Sequence, residues 1–133
     1  MSSVVEIKLK IPQIREDKPK EEYNEIEKMI SGLPYLAYDP IILNGRAFAY
    51  KMCLTLNQKS QLEVPQRYEI LQQLLGTCSK GVYIEPPFFC DYGSNIHLGE
   101  GVYMNFNCTL LDACEIKVGA RTMFAPGNAA LNL

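Results

Sequence analysis

Five cysteines and a single histidine are the residues of this chain best equipped for metal, redox or acid–base chemistry: Cys53, Cys78, Cys90, Cys108, Cys114 and His97. Their spacing argues against the first two roles. No pair follows a Cys-x-x-Cys pattern, and His97 has no second ligand at a zinc-finger distance, so no metal site is expected. An odd cysteine count with no secretion signal points to free thiols. Cys90, Cys108 and Cys114 also belong to a larger pattern. A small or aliphatic residue recurs every six positions, at Ile84, Cys90, Ile96, Val102, Cys108 and Cys114. Neither an α-helix nor a flat strand has that period. It fits a chain wound as a triangular prism, one short strand per face, with the repeated side chain pointing inward. A cysteine there acts as a small buried hydrophobe.

Internal copies support the prism. Leu98–Tyr103 and Val118–Met123 each read aliphatic, glycine, two variable, small, variable, and Phe124–Ala129 is a looser copy. Met104–Thr109 fits in phase with Asn105 in the glycine slot. Three six-residue faces per turn would stack Cys90 on Cys108 and Ile96 on Cys114. A two-residue slip near Glu115–Lys117 reads as a bulge at one corner. Such repeats stabilise one another by stacking. Residues 79–133 have room for about three turns.

The elements that must position this prism precede it. Residues 1–20 mix charges with short apolar scraps around Pro12 and Pro19 and are expected to form a flexible, solvated arm. From 21 to 78 the periodicity is helical. Tyr23, Ile26, Met29 and Ile30 mark a first helix that ends at Gly32 before Pro34. Asp39-Pro40 reads as N-cap and first residue of a second, running to about Asn57. A third follows Val64-Pro65 and ends at Gly76. The expected fold is mainly β with a helical N-terminal domain. The net charge of −2 gives no reason to expect nucleic acid as a partner, and no apolar run is long enough to span a membrane. The N-terminal residues lack the features of a secretory signal, so a cytoplasmic location is expected.

Three blocks carry a family resemblance. The first is Glu27-Lys28-Met29-Ile30-Ser31-Gly32 with Pro34-Tyr35, Ala37, Asp39-Pro40, Arg46, Ala49, Met52-Cys53 and Asn57. The second is Tyr83-Ile84-Glu85-Pro86-Pro87-Phe88, Cys90 to Ile96, Asn105-Phe106-Asn107 and Leu111-Asp112. The third is Val118-Gly119 and Met123-Phe124-Ala125-Pro126-Gly127. Together they resemble the maltose and galactoside O-acetyltransferases, hexapeptide-repeat acyltransferases, over about residues 21–128. The resemblance implies a left-handed parallel β-helix and acetyl transfer from acetyl-CoA, as co-substrate, to a sugar hydroxyl. It also implies a homotrimer with active sites between neighbouring prisms and a histidine as general base.

Residue by residue, Asn105 matches the family asparagine beside the acetyl group and acceptor hydroxyl, where an amide orients the reactants by hydrogen bonding. The alternative for Asn105 is a tight corner in left-handed backbone. Asp91 matches a polar acceptor-binding position, Asp112 lies in the matching acidic stretch, and both also suit corner capping. Asp39 matches an acidic position able to reach the sugar, or serves as an N-cap. Tyr103 is a candidate lining residue. His97 follows inward-pointing Ile96, so it faces outward and is not the base. The family's Thr-x-x-His-Pro loop would fall just past Leu133. The resemblance therefore implies a C-terminally truncated acetyltransferase, impaired or inactive. The alternative is a non-catalytic module that pairs with full-length paralogues.

Overall fold

Short helices begin where the sequence supplies caps. The computed structural model describes residues 5–132. After a 3-10 turn at Lys20–Glu22, α1 (Glu25–Ile30) opens on a capping box in which Asn24 and Glu27 exchange hydrogen bonds with each other's backbone. α2 (Pro40–Gln58) starts on Asp39 and α3 (Val64–Leu74) carries proline in its first turn. Among the described residues nine short strands follow: β1 (Thr77–Cys78), β2 (Tyr83–Ile84), β3 (Phe88–Cys90), β4 (Ile96–Leu98), β5 (Tyr103–Met104), β6 (Cys108–Asp112), β7 (Ile116–Val118), β8 (Met123–Phe124) and β9 (Ala129–Asn132). They form three parallel sheets, β1-β4-β7, β2-β5-β8 and β3-β6-β9. The result is three turns of left-handed parallel β-helix behind an N-terminal helical region.

The turn length corrects the expected stacking. Partners in adjacent turns lie twenty residues apart: Thr77 opposite His97, and His97 opposite Lys117. Cys90 therefore pairs with Leu110, Cys108 with Phe88, and Ile96 with Ile116. Two rows of side chains face inward, one through Cys78, Ile84 and Cys90 and the other through Ile96, Val102 and Cys108. Each row keeps a six-residue step across two faces and gains two residues at the corner after β3 and again after β6. The slip expected only near Glu115–Lys117 is thus a feature of every turn at that corner. Cys114 falls in this corner rather than inside the prism, its Sγ 3.2 Å from the Met29 carbonyl.

Prism corners need backbone that turns sharply. Gly81, Gly101 and Arg121 occupy equivalent corner positions in successive turns, all with φ between 62° and 75°. At the next corner the left-handed residues are Asn107 (φ 62°) and Gly127 (φ 74°).

The helices close the first turn. Ala49, Cys53 and Leu56 of α2 and Leu71 and Leu74 of α3 join one core with Ile84, Phe88, Ile96 and Met104. Helical side chains also meet the backbone edge that a preceding strand would otherwise cover. Tyr68 and Gln72 donate to the Cys78 carbonyl at 3.2 and 2.7 Å. Arg67 donates to the Ile84 carbonyl, and Asn57 bonds to both the N–H and the C=O of Phe88. Arg67 is almost fully buried, which is tolerable because its guanidinium also serves the Leu56 and Lys59 carbonyls and lies over the Tyr83 ring.

The expected solvated arm needs correction over its described part; residues 1–4 lie outside the described residues. Leu9 is buried in a second core with Met29, Ile42, Tyr92 and Ala113. Ser94 Oγ donates to the Leu9 carbonyl at 2.6 Å, and Lys8 Nζ donates to the Leu75 carbonyl at 3.0 Å. Pairing of β1 begins at Thr77, two residues ahead of the expected start of the repeat region at 79.

Candidate functional site

Alternation along a strand sets which residues can meet a ligand. Met104 is fully buried, so Tyr103 and Asn105 on either side of it share the outer face of β5. Asn105 Oδ1 accepts the Phe106 amide at 2.8 Å, and its own N–H donates to the Phe124 carbonyl. Oδ1 is thereby fixed as the acceptor end, leaving Nδ2 as the donor end. The left-handed corner residue is Asn107, not Asn105, so backbone conformation does not explain the asparagine at 105. Tyr103 stacks on Tyr83, with ring centroids 6.3 Å apart and planes 11° apart. Loss of solvation, then the Glu85 carboxylate, hold its phenol above the ordinary range.

A second group of candidates gathers at the corner after β3. Asp39 caps α2, its Oδ1 accepting from the Ile41 amide at 3.1 Å. Arg46, about two turns further along α2, donates to the Ala37 carbonyl at 2.8 Å and to the Tyr92 hydroxyl at 3.0 Å. It thus ties the segment before α2 to the corner. Burial pushes the Tyr92 phenol up to about 12. Asp91 precedes Tyr92 and is half-buried. Loss of solvation raises its pKa, and the Arg46 charge partly offsets this.

Of the two roles open to Asp112, acceptor contact and corner capping, its hydrogen bonds show the second. It is 0% exposed. Its Oδ1 accepts the amides of Asp91 at 3.1 Å and Tyr92 at 2.9 Å, and its Oδ2 accepts that of Asn95 at 3.1 Å. Asn95 returns its side-chain amide to the carbonyls of Asp112 and Ala113. The carboxylate of one turn therefore holds the corner of the turn before. Burial lifts its pKa to about 6 against the pull of the N–H donors. A group so enclosed cannot touch a sugar.

Tyr103 and Asn105 lie on and just after β5, before the corner that leads into β6, and Asp91, Arg46 and Asp39 lie toward the far end of β6. Five strand residues separate the two groups, roughly 16 Å of rise. His97 belongs to neither. It faces outward on β4, as expected, with Nδ1 2.8 Å from Thr77 Oγ1 and Nε2 4.0 Å from a Glu115 oxygen. The cysteines are all unpaired thiols, and Cys78 and Cys108 pack inside the prism as small hydrophobes. Burial pushes Cys78 up to about 11. No cluster of His, Cys, Asp and Glu among the described residues has a metal-holding arrangement. Sequence reasoning missed the organising roles of Arg46, Tyr92 and Asn95. Their one signal was membership of the quoted motifs.

A parallel prism of three-stranded faces, closed at its N-terminal end by short helices, defines a hexapeptide-repeat protein with a helical cap. Residues 28–79 match the maltose acetyltransferase hexapeptide capping motif. Nodulation protein L of Rhizobium meliloti is 38% identical over 104 residues, 75% of this chain and 55% of that protein. A maltose O-acetyltransferase structure from Clostridium difficile superposes with a TM-score of 0.78 at 37% identity, over 80% of this chain and 57% of that one. A hexapeptide-repeat acetyltransferase from Vibrio cholerae, solved with acetyl coenzyme A, gives a TM-score of 0.72 at 28% identity over 80% and 57% of the two chains. The chain belongs to the maltose and galactoside O-acetyltransferase family of hexapeptide-repeat acyltransferases. It spans about half the length of the curated relatives it matches.

Proposed function

We propose that this chain supplies the acceptor side of an O-acetyltransferase that moves an acetyl group from acetyl-CoA to a sugar hydroxyl. The observation that carries the reading is the shared outer face of Tyr103 and Asn105. Asn105 Oδ1 is already committed to the Phe106 amide. Its Nδ2 is therefore the end that orients the acceptor hydroxyl or the acetyl carbonyl. Tyr103 lines the pocket, and Asp91 with Asp39 accepts hydroxyl hydrogens of the sugar from the other group. Because the two groups sit at opposite ends of β6, the complete site is formed between neighbouring prisms of a homotrimer, located in the cytoplasm. The sequence holds one histidine, and it lies on another face. Turnover by these residues alone is accordingly expected to fall about 10²–10⁴ below that of a relative with its general base.

Saturation-transfer NMR with maltose, glucose and methyl galactoside tests the acceptor reading without requiring turnover. At least one sugar should bind, and Asn105→Ala and Asp91→Ala should each weaken it about tenfold, while Lys80→Ala should not. No sugar contact in the wild-type chain would sink the proposal. Sedimentation velocity reads the trimer. The non-catalytic reading, a module pairing with full-length relatives, gains support only if the chain binds no sugar yet co-purifies with such a relative.

A further inference from the structure

We propose that Cys53 and Cys90 form a reversible disulfide when the protein meets hydrogen peroxide, a redox site that fastens α2 to β3. The two thiols lie on different elements, 37 residues apart, with their sulfurs 3.8 Å from each other. Sequence spacing conceals this pair; only the packing of α2 across the first turn brings the sulfurs into contact. The other cysteines have different neighbours. Cys78 faces the Ser79 carbonyl at 4.0 Å, Cys108 that of Ala125 at 3.7 Å, and Cys114 that of Met29 at 3.2 Å.

Closing a disulfide needs the sulfurs to approach to about 2.05 Å, a movement of the order that side-chain rotation with a small helix shift provides. The surroundings divide the roles. Either sulfur can donate in the contact between them, and the contact favours thiolate on Cys53, whose pKa lies below its ordinary value. That hydrogen bond, burial and the nearby Asp112 and Asp91 carboxylates hold Cys90 in the protonated form. Cys53 serves as the first nucleophile, and because it is buried in the core peroxide reaches it when α2 opens locally from β3.

The Cys53 thiolate attacks one oxygen of hydrogen peroxide. An S–O bond forms, the O–O bond breaks, and hydroxide leaves and is protonated to water. The Cys90 sulfur then attacks the sulfenic sulfur of Cys53. The S–S bond forms as the S–O bond breaks, and the departing hydroxyl leaves as water with the Cys90 proton. Two thiols are oxidised and one peroxide is reduced to two waters.

The bond would join the helix that carries Asp39 and Arg46 to the strand that leads directly into Asp91. It would close a long loop between the helical cap and the prism, which restricts the unfolded chain.

The test is a mass map of the wild-type chain after graded peroxide, quenched and alkylated under denaturing, non-reducing conditions. The expected product has lost two hydrogens, carries a Cys53–Cys90 cross-link, and reverts with dithiothreitol. Its thermal midpoint should rise by about 10 °C. Cys53→Ser and Cys90→Ser should each abolish both changes, and the wild-type map decides alone if either variant does not fold. Linkage of either residue to another cysteine, sulfinic acid at either position, or five alkylatable thiols after exposure overturns the proposal.

Discussion

Asn57 pairs with Phe88 as a neighbouring strand would. Its Oδ1 accepts the Phe88 amide at 2.9 Å and its Nδ2 donates to the Phe88 carbonyl at 3.1 Å. One side chain on α2 thus completes the exposed edge of β3. Asn57→Ala should destabilise the fold by roughly 2–4 kcal/mol, because both backbone groups lose their partner. Asn57→Asp should also be harmful, since it sets a carboxylate oxygen against a carbonyl. Urea unfolding measures both, and two variants within about 0.5 kcal/mol of wild type would show the edge to be satisfied in another way.

Asp112 makes the corner sensitive to pH. Its carboxyl is lifted from an ordinary value of 3.8 to about 6 by burial. Between those values the folded chain holds a proton that the unfolded chain releases. Its contribution to stability is therefore fully present below the lower value and lost as pH rises through the upper one, up to about 3 kcal/mol. Glu25 and Glu27 lie below their ordinary 4.5, chiefly through hydrogen bonds from Lys28 and Lys18. Their contributions run the other way and are lost as pH falls below that value. Comparing wild type with Asp112→Asn at about pH 7 and about pH 5 cancels them. Wild type should gain on the variant at the lower pH, and parallel profiles would refute the assignment.

Asn107 holds left-handed backbone with φ 62°. Asn107→Gly should be neutral or stabilising by a few tenths of a kcal/mol, whereas Asn107→Val should cost about 1–2 kcal/mol or more. Thermal unfolding separates the two. Equal midpoints would mean the corner relaxes into an ordinary conformation.

Gly45 lies within α2, where alanine is the better helix former by about 1 kcal/mol. A Cβ at that position would stand 2.8 Å from the Leu9 Cβ. Gly45→Ala is therefore expected to lower the thermal midpoint despite its propensity gain. A higher midpoint would show that the segment around Leu9 yields easily.

The prism was legible because inward residues repeat, and any chain that turns at fixed intervals must show this. Its true turn length was not. The six-residue series Ile84, Cys90, Ile96, Val102, Cys108 passes from one inward row to the other, and the two extra corner residues hide in that exchange. Asp39 was readable as a cap because capping is local. Asp112 reads equally as an acceptor ligand and as a corner cap, because its donors belong to residues 91, 92 and 95, and a contact one full turn away leaves no periodic mark. The edge-capping side chains Asn57, Arg67 and Gln72 were invisible for the same reason. They are polar residues on amphipathic helices, and such positions ordinarily face water.

Asn57, Arg67, Tyr68 and Gln72 also give the prism a direction. Backbone that another extended segment would need is already engaged at the N-terminal end, so a foreign strand finds no template there. Coils can be added, by duplication or by engineering, only downstream of that capped edge and only as whole twenty-residue units. A partial unit would shift the inward rows out of line and turn apolar side chains toward solvent. The helical domain is thus a stopper that makes the molecule extensible in one sense only.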